Sequence, residues 1–423
     1  MRMKIKNGYV VDPMNSVNAI KDLYISEGKI VKPFDGPYDR EIDAKGKYIF
    51  PGFIDAHCHL RDPGFEYRED IETGTASAAK GGFTSVACMP NTNPTCDNVT
   101  VVEYIKSKAK KVGKTNVFPI GSISKGLLGN ELAEIGLMAK EGIVAISDDG
   151  KPVSNPDFMR KAMLYASDFN IPVISHCEDI SLSNDGQMNE GFLSTIMGIR
   201  GIPSLAEDVM VSRDLLIAQY LGLPIHIAHV STKTSVGLIR EAKKNKIQVT
   251  CETCPHYFTL TQDACIGYNT LAKVNPPLRT QEDVDAIIEG IEDGTIDMIV
   301  TDHAPHHSDE KEIEFALANN GIIGFETAFG LSFTYLVKEE VITMEQLVRL
   351  MSVNPSNFLK LGRGNLGIGS PADISIVDVD NEYVFDRSKI VSKSKNTPYD
   401  GWKLFGKAIY TIVGGNISYE ELC

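Results

Sequence analysis

Residues 52–64 read GFIDAHCHLRDPG, and this stretch decides how the rest of the chain is read. The run from Phe53 to Leu60 has the apolar, β-prone character of a buried strand. Yet it ends on His57, His59 and Arg61. In an extended backbone, side chains at i, i+2 and i+4 share a face. One strand end therefore delivers two imidazoles and a guanidinium to the same side, which a purely structural strand has no need to do.

Moving outward, the same kind of run recurs. FTSVACMP (83–90), NVFPIGSI (116–123), GIVAISDD (142–149), IPVISHCE (171–178), PIHIAHVS (224–231), KIQVTCET (246–253) and DMIVTDHAP (297–305) bring the strand candidates to eight. Most are separated by segments of helical length, such as NVTVVEYIKSKAKKVG and KTSVGLIREAKKNK. Alternating strands and helices imply parallel βαβ units. Eight of them predict an α/β chain folded as a TIM-like (β/α)8 barrel. An open doubly wound sheet is the alternative, weakened because no Gly-rich dinucleotide fingerprint follows an early strand. Residues 1–50 instead hold short strand-like pieces with Asn-Gly, Glu-Gly and Lys-Gly at plausible turns, and residues 362–423 hold similar pieces. They are expected to form one small β-sandwich domain from both chain ends, with the barrel inserted as residues 51–361. The only tryptophan, Trp402, is expected to pack that small domain.

Composition narrows the function classes. A chain of 423 residues with net charge −14 and no Lys/Arg run speaks against a nucleic-acid or anionic-membrane surface. The N-terminal residues lack a signal-peptide core, and no apolar stretch approaches a membrane span, so the expected location is the cytoplasm. The eight cysteines, Cys423 among them, are too scattered for a disulfide framework. Cys251 and Cys254 in CETCPH are read as reduced thiols, because a structural zinc site needs four ligands.

In a (β/α)8 barrel, active-site groups stand at the C-terminal strand ends. There this sequence places His57 and His59, Asp148 and Asp149, His176, His229 and Asp302, with His303 and His306 just beyond. Imidazole plus carboxylate without thiolate suits Zn²⁺ or a similar divalent ion. Four histidines and two aspartates exceed the ligand set of one catalytic metal, whereas two metals sharing a carboxylate use all six. Such a pair activates water, and Asp302 is placed to pass the proton on. The reaction class is metal-assisted hydrolysis of an amide-like bond, or its reversal. His226, His256 and His307 are read as structural, surface or loop residues.

The stretches PGFIDAHCHLRDPG, GGFTSVACMPNTNP, ISDDG, SHCED, IAHVS, CETCPHY, VNPPLR, TDHAPH and GFETA together resemble the dihydroorotase family of the amidohydrolase superfamily, in its type with an aspartate metal bridge. The resemblance implies reversible cyclisation of N-carbamoyl-L-aspartate to L-dihydroorotate in pyrimidine synthesis, with two Zn²⁺ per chain. It assigns His57, His59 and Asp302 to one zinc, His176 and His229 to the other, and Asp149 to the bridge, with Asp302 also the general acid/base. His59, Arg61, Asn91, Asn275 and His306 would bind substrate, with backbone contacts from Asn320 and Gly321 in LANNGIIG. Relatives that bridge with a carboxylated lysine differ here, where the fourth strand ends SDDGK; Asp148 and the more remote Lys151 compete with Asp149. The polar stretch 307–320 is expected to be a mobile lid. Hydantoinase or allantoinase activity, and a non-catalytic scaffold role, are the competing readings. A second copy and an aspartate transcarbamoylase are the candidate protein partners.

Overall fold

Eight short apolar strands lie in parallel in the computed structural model, which describes residues 1–421. They are β1 (Phe53–Cys58), β2 (Phe83–Cys88), β3 (Asn116–Pro119), β4 (Ile146–Ser147), β5 (Val173–Ser175), β6 (Ile225–Ile227), β7 (Val249–Thr253) and β8 (Met298–Ile299). Two hydrogen-bonded sets run β3-β2-β1 and β4-β5-β6-β7-β8. Isolated parallel bridges join them, Gly121 with Ile146 on one side and Cys58 with His303 on the other. This ring of pairings is the closure a (β/α)8 barrel requires. β4, β5, β6 and β8 stop short of their apolar runs, and the residues just past them, Asp149, His176, His229 and Asp302, carry the polar side chains.

Helices flank the strands, and their starts are written in the sequence. Asp70, Asn98 and Thr232 each accept a hydrogen bond from the N–H three residues on, opening helices Ile71–Lys80, Val99–Val112 and Lys233–Lys244. The inward faces of the last two, with Val101, Val102, Ile105, Val236 and Ile239, join the core around the barrel.

The chain ends interleave as the strand pattern at both termini predicts. Arg2–Lys6 lies between Leu23–Ser26 and Arg40–Asp43, and Ile374–Asp378 lies between Tyr48–Pro51 and Lys407–Val413. Met3, Ile5, Ile25, Ile49, Ile374 and Ile412 share one core. Residues 383–404 behave differently. They leave these sheets, and Phe385, Ile390, Tyr399 and Leu404 pack with Tyr257, Leu260 and Leu331 of the barrel. Trp402 goes with them, its ring 4.9 Å from Tyr399 and 5.9 Å from Tyr335, so it packs against the barrel and not within the β-sheets.

The cysteines among the described residues are free and buried, and Cys423 lies outside the described residues. No helix among the described residues is long and apolar enough to cross a membrane.

Candidate active site

The C-terminal strand ends converge on one carboxylate. Asp149, just past β4, has imidazole nitrogens at 3.5 Å from His57 Nε2, His59 Nε2 and His176 Nδ1, and at 3.6 Å from His229 Nε2. Asp302, past β8, stands 3.0 Å from His59 Nε2 and 3.6 Å from His57 Nε2. All six side chains are buried. The backbone at His229 (φ 33°) and Asp302 (φ 44°) lies in the left-handed region, as does Arg61 (φ 60°). Such conformations cost energy for non-glycine residues and collect at functional sites.

The neighbouring aspartate has another task. Asp148 Oδ1 accepts from the N–H groups of Ile123 (2.8 Å) and Ser124 (3.0 Å), and its other oxygen takes the Ser124 hydroxyl. It therefore ties down the loop after β3. Lys151 is exposed to solvent. Of the three candidates at this strand end, Asp149 alone meets the imidazoles.

Three of the four histidines are aimed by the second nitrogen, the arrangement that fixes tautomer and ring orientation in metal sites, whereas His229 Nδ1 is buried without a partner. His57 Nδ1 meets Glu252 Oε1 at 2.5 Å, His59 Nδ1 meets Asn91 Oδ1 at 2.8 Å, and His176 Nε2 meets Glu178 Oε2 at 3.1 Å. Glu252 Oε2 takes His226 Nε2 at 3.1 Å, so His226 is structural yet joined to the site. Burial alone would raise the Asp149 carboxyl, but His57, His176 and His229 overcome it and hold it well below the usual range. Burial likewise opposes charge on His57, while Glu252, Asp149 and Asp302 pull its pKa well above the ordinary value. The cluster thus calls for positive charge at its centre.

The donor set fits a divalent cation. His57 Nε2 is fully buried without a hydrogen-bond partner, although two carboxylates face it. A divalent cation there would take the place of the proton that the carboxylates otherwise hold on the ring, using that nitrogen's lone pair. His57, His59 and Asp149 form one group with ligating atoms within 4.8 Å of one another, and Asp149, His176 and His229 form a second. Cys254, His256 and Asp302 form a third, whereas Cys251 turns away to the Thr295 carbonyl. His256 is buried, its pKa drawn down to about 4 by burial, so the sequence expectation of a surface or loop position is corrected. His307 is exposed and accepts from Asp309 N–H.

Above this cluster opens a cavity of about 250 Å³. Its wall includes every residue singled out in the sequence for substrate contact: His59, Arg61, Asn91, Asn275, His306, Asn320 and Gly321. Arg61 Nε donates to the Pro305 carbonyl at 3.2 Å, and its Nη2 lies 3.3 Å from His306 Nε2. Burial, with the Arg61 charge adding to it, pulls His306 down to about 3, so the ring is neutral and accepts from Arg61. Asn275 Nδ2 donates to Glu178 Oε2 at 2.9 Å. The segment expected as a lid is anchored, with Lys311, Phe315 and Ala318 buried. Sequence reading missed Glu178 and Glu252. A glutamate inside the apolar strand VTCET was the available signal, because a buried charge needs a partner.

Comparison with known proteins places this geometry in a family. A family model described as "Dihydro-orotase-like" matches residues 46–235. A protein of Acetivibrio thermocellus named dihydroorotase is 58% identical over 422 residues, covering 99% of both chains. Another of that name, from Citrifermentans bemidjiense, is 51% identical over 99% of this chain and 100% of the relative. Among solved structures, an L-hydantoinase (dihydropyrimidinase) from Arthrobacter aurescens superposes with a TM-score of 0.88 at 25% identity, over 100% of this chain and 97% of that one. A barrel built like a hydantoinase, carrying a sequence more than half identical to a dihydroorotase along its whole length, leaves one assignment: the chain belongs to the dihydroorotase family of the amidohydrolase superfamily.

Proposed function

We propose that this chain interconverts L-dihydroorotate and N-carbamoyl-L-aspartate in the cavity above Asp149, as a zinc-dependent cyclic amidase of cytoplasmic pyrimidine synthesis. The observation that supports it best is the single carboxylate of Asp149 within 3.6 Å of four imidazoles from three strand ends. Residues 51–361 would be the catalytic unit, with 1–50 and 362–423 forming the small β-domain.

His57, His59 and Asp302 would hold one Zn²⁺, His176 and His229 a second, and Asp149 both. When bound, such a pair lowers the pKa of a water and polarises the ring carbonyl. The remaining work belongs to the chain's own side chains. Asp302 takes the proton of the attacking water and returns it to the amide nitrogen as the C–N bond breaks; in cyclisation the same proton travels the other way. Burial tends to raise its carboxyl, yet His57 and His59 keep it below the usual range and ready to accept. Arg61 offers its planar fork to the substrate carboxylate. Asn91 and Asn275 contribute amide groups, and the Asn320–Gly321 backbone closes the rim. Glu178, Asn91 and Glu252 keep the rings aimed.

Metal content per purified chain, followed by turnover on L-dihydroorotate with hydantoin and allantoin as rivals, tests the reading. About two zinc ions with turnover on dihydroorotate is the expected result. Asp302→Ala should abolish turnover while leaving the fold and at least one metal in place. Near-normal rates in that variant would remove the proton-transfer role, and preference for hydantoin would overturn the substrate assignment. Sizing with and without an aspartate transcarbamoylase tests the two candidate protein partners.

A further inference from the structure

Two buried side chains that no catalytic role uses converge on one peptide of the cavity rim. Lys311 is 1% exposed, and its Nζ donates to the carbonyls of Asn319 (2.7 Å), Gly321 (3.2 Å) and Lys273 (3.3 Å). Asn396 arrives from the 383–404 segment laid against the barrel. Its Nδ2 donates to Ala304 O (2.9 Å) and Gly321 O (3.0 Å), and its Oδ1 accepts from His306 N–H (3.1 Å). The Gly321 N–H is taken by Lys273 O at 2.9 Å. Gly321 itself has φ +152°, and a Cβ there would sit 2.6 Å from Ala304 O. Only glycine passes at this point, so the rim gains no stiffness from its own side chain.

Lys273 fastens the outer part of the same segment, donating to the carbonyls of Phe315 (2.7 Å) and Ala318 (2.6 Å). The acceptors recorded for both ammonium groups are backbone carbonyls, with the Gln187 side chain added at Lys273. Burial draws Lys311 down to about 7. A buried cation held by carbonyls and no carboxylate is an expensive way to keep a loop, compared with an apolar contact. What it supplies is direction: the carbonyls of Asn319 and Gly321 in the rim turn, with that of Lys273 beside them, are aimed at one point.

We propose that Lys311 and Asn396 are positioning residues that hold the Ala304–Gly321 rim in its binding geometry and so set substrate affinity without touching the reacting atoms. This rests on the dihydroorotase reading of the cavity. A rim ordered before binding spares the substrate the entropy of ordering it, and that benefit is present in ground state and transition state alike. Its loss therefore falls on KM.

Lys311→Met keeps the stem and removes the ammonium. Asn396→Asp keeps the acceptor for His306 and replaces the donor to Gly321. In the metal-loaded full chain each should raise KM for L-dihydroorotate about 10-fold or more, with kcat within about threefold and metal per chain unchanged. Unchanged KM, or a fall confined to kcat, overturns the proposal. Hydrogen exchange on the wild-type holoenzyme judges it without a variant. Slow exchange at the Gly321 amide before substrate is added supports it, and fast exchange slowed only by L-dihydroorotate overturns it. Wild-type chain with no dihydroorotate turnover would defeat the functional reading, and exchange in the free enzyme would still decide whether the rim is held.

Discussion

Glu252 lies wholly buried on β7, its two oxygens divided between His57 Nδ1 at 2.5 Å and His226 Nε2 at 3.1 Å. Changing it to Gln preserves volume but leaves one acceptor and one donor where two acceptors stood. The amide oxygen can stay on His57 if its nitrogen turns to His226. That ring then shifts its proton to Nδ1 and donates it to Thr250 Oγ1, 2.8 Å away. Folding is thus preserved, and the loss is one of charge. A hydrogen bond to a charged group contributes about 1.5–3 kcal/mol against about 0.5–1.5 for a neutral one. A weakening of roughly 1.4 kcal/mol corresponds to about tenfold in affinity. With a less basic, less firmly aimed His57 added, zinc should bind about 10- to 100-fold more weakly. Glu252→Leu should be worse, because it strands two buried N–H groups at about 1–3 kcal/mol each. The assay is stripping with chelator, then zinc titration against a chromophoric competitor, with circular dichroism verifying the fold. Wild-type zinc affinity in the folded Gln and Leu variants alike would refute the view that this carboxylate tunes His57.

Two further outcomes concern the cavity wall and the buried lysine behind its rim. Arg61→Lys removes the planar fork and the contacts to Pro305 and His306, so KM for dihydroorotate should rise about 10- to 100-fold with a smaller change in kcat; steady-state kinetics checks it, and an unchanged KM would dismiss Arg61 as the carboxylate anchor. Burial lowers the Lys311 amine from 10.5 to about 7, so between those values the unfolded chain holds a proton that the folded chain lacks. The stability of wild type relative to Lys311→Met should therefore rise with pH across that window and be flat below it, read as denaturant midpoints at about pH 6 and about pH 9.

Much of the site was visible in the linear chain because barrel strands impose a simple rule. Each apolar run ends at the same rim, so the residue types closing the runs describe the rim's chemistry before any contact is known. His57, His59, His176, His229 and Asp302 are legible this way, since each lies at the end of an apolar strand or within three residues beyond it. The small β-domain is legible from short alternating strands at both ends. The 383–404 segment was not, because its few apolar residues have no periodicity of their own and take their places from barrel partners such as Tyr257 and Leu331. His256 looked like a loop residue for the same reason: five residues of helix, Pro255–Thr259, bury it behind the site.

What the sequence determined alone is local. Strand and helix periodicity, capping residues and the kind of ligand at each strand end follow from neighbours within a few positions. What tertiary structure decided is direction over long separations. Asp148 and Asp149 are adjacent and chemically identical, and only the partners that fold against them send one to the Ser124 loop and the other to four imidazoles. Glu252 finds His57 across 195 positions, and Asn396 reaches Gly321 across 75. Side-chain orientation at a strand end depends on which groups arrive opposite it, and that is a property of the closed barrel, which no single strand carries.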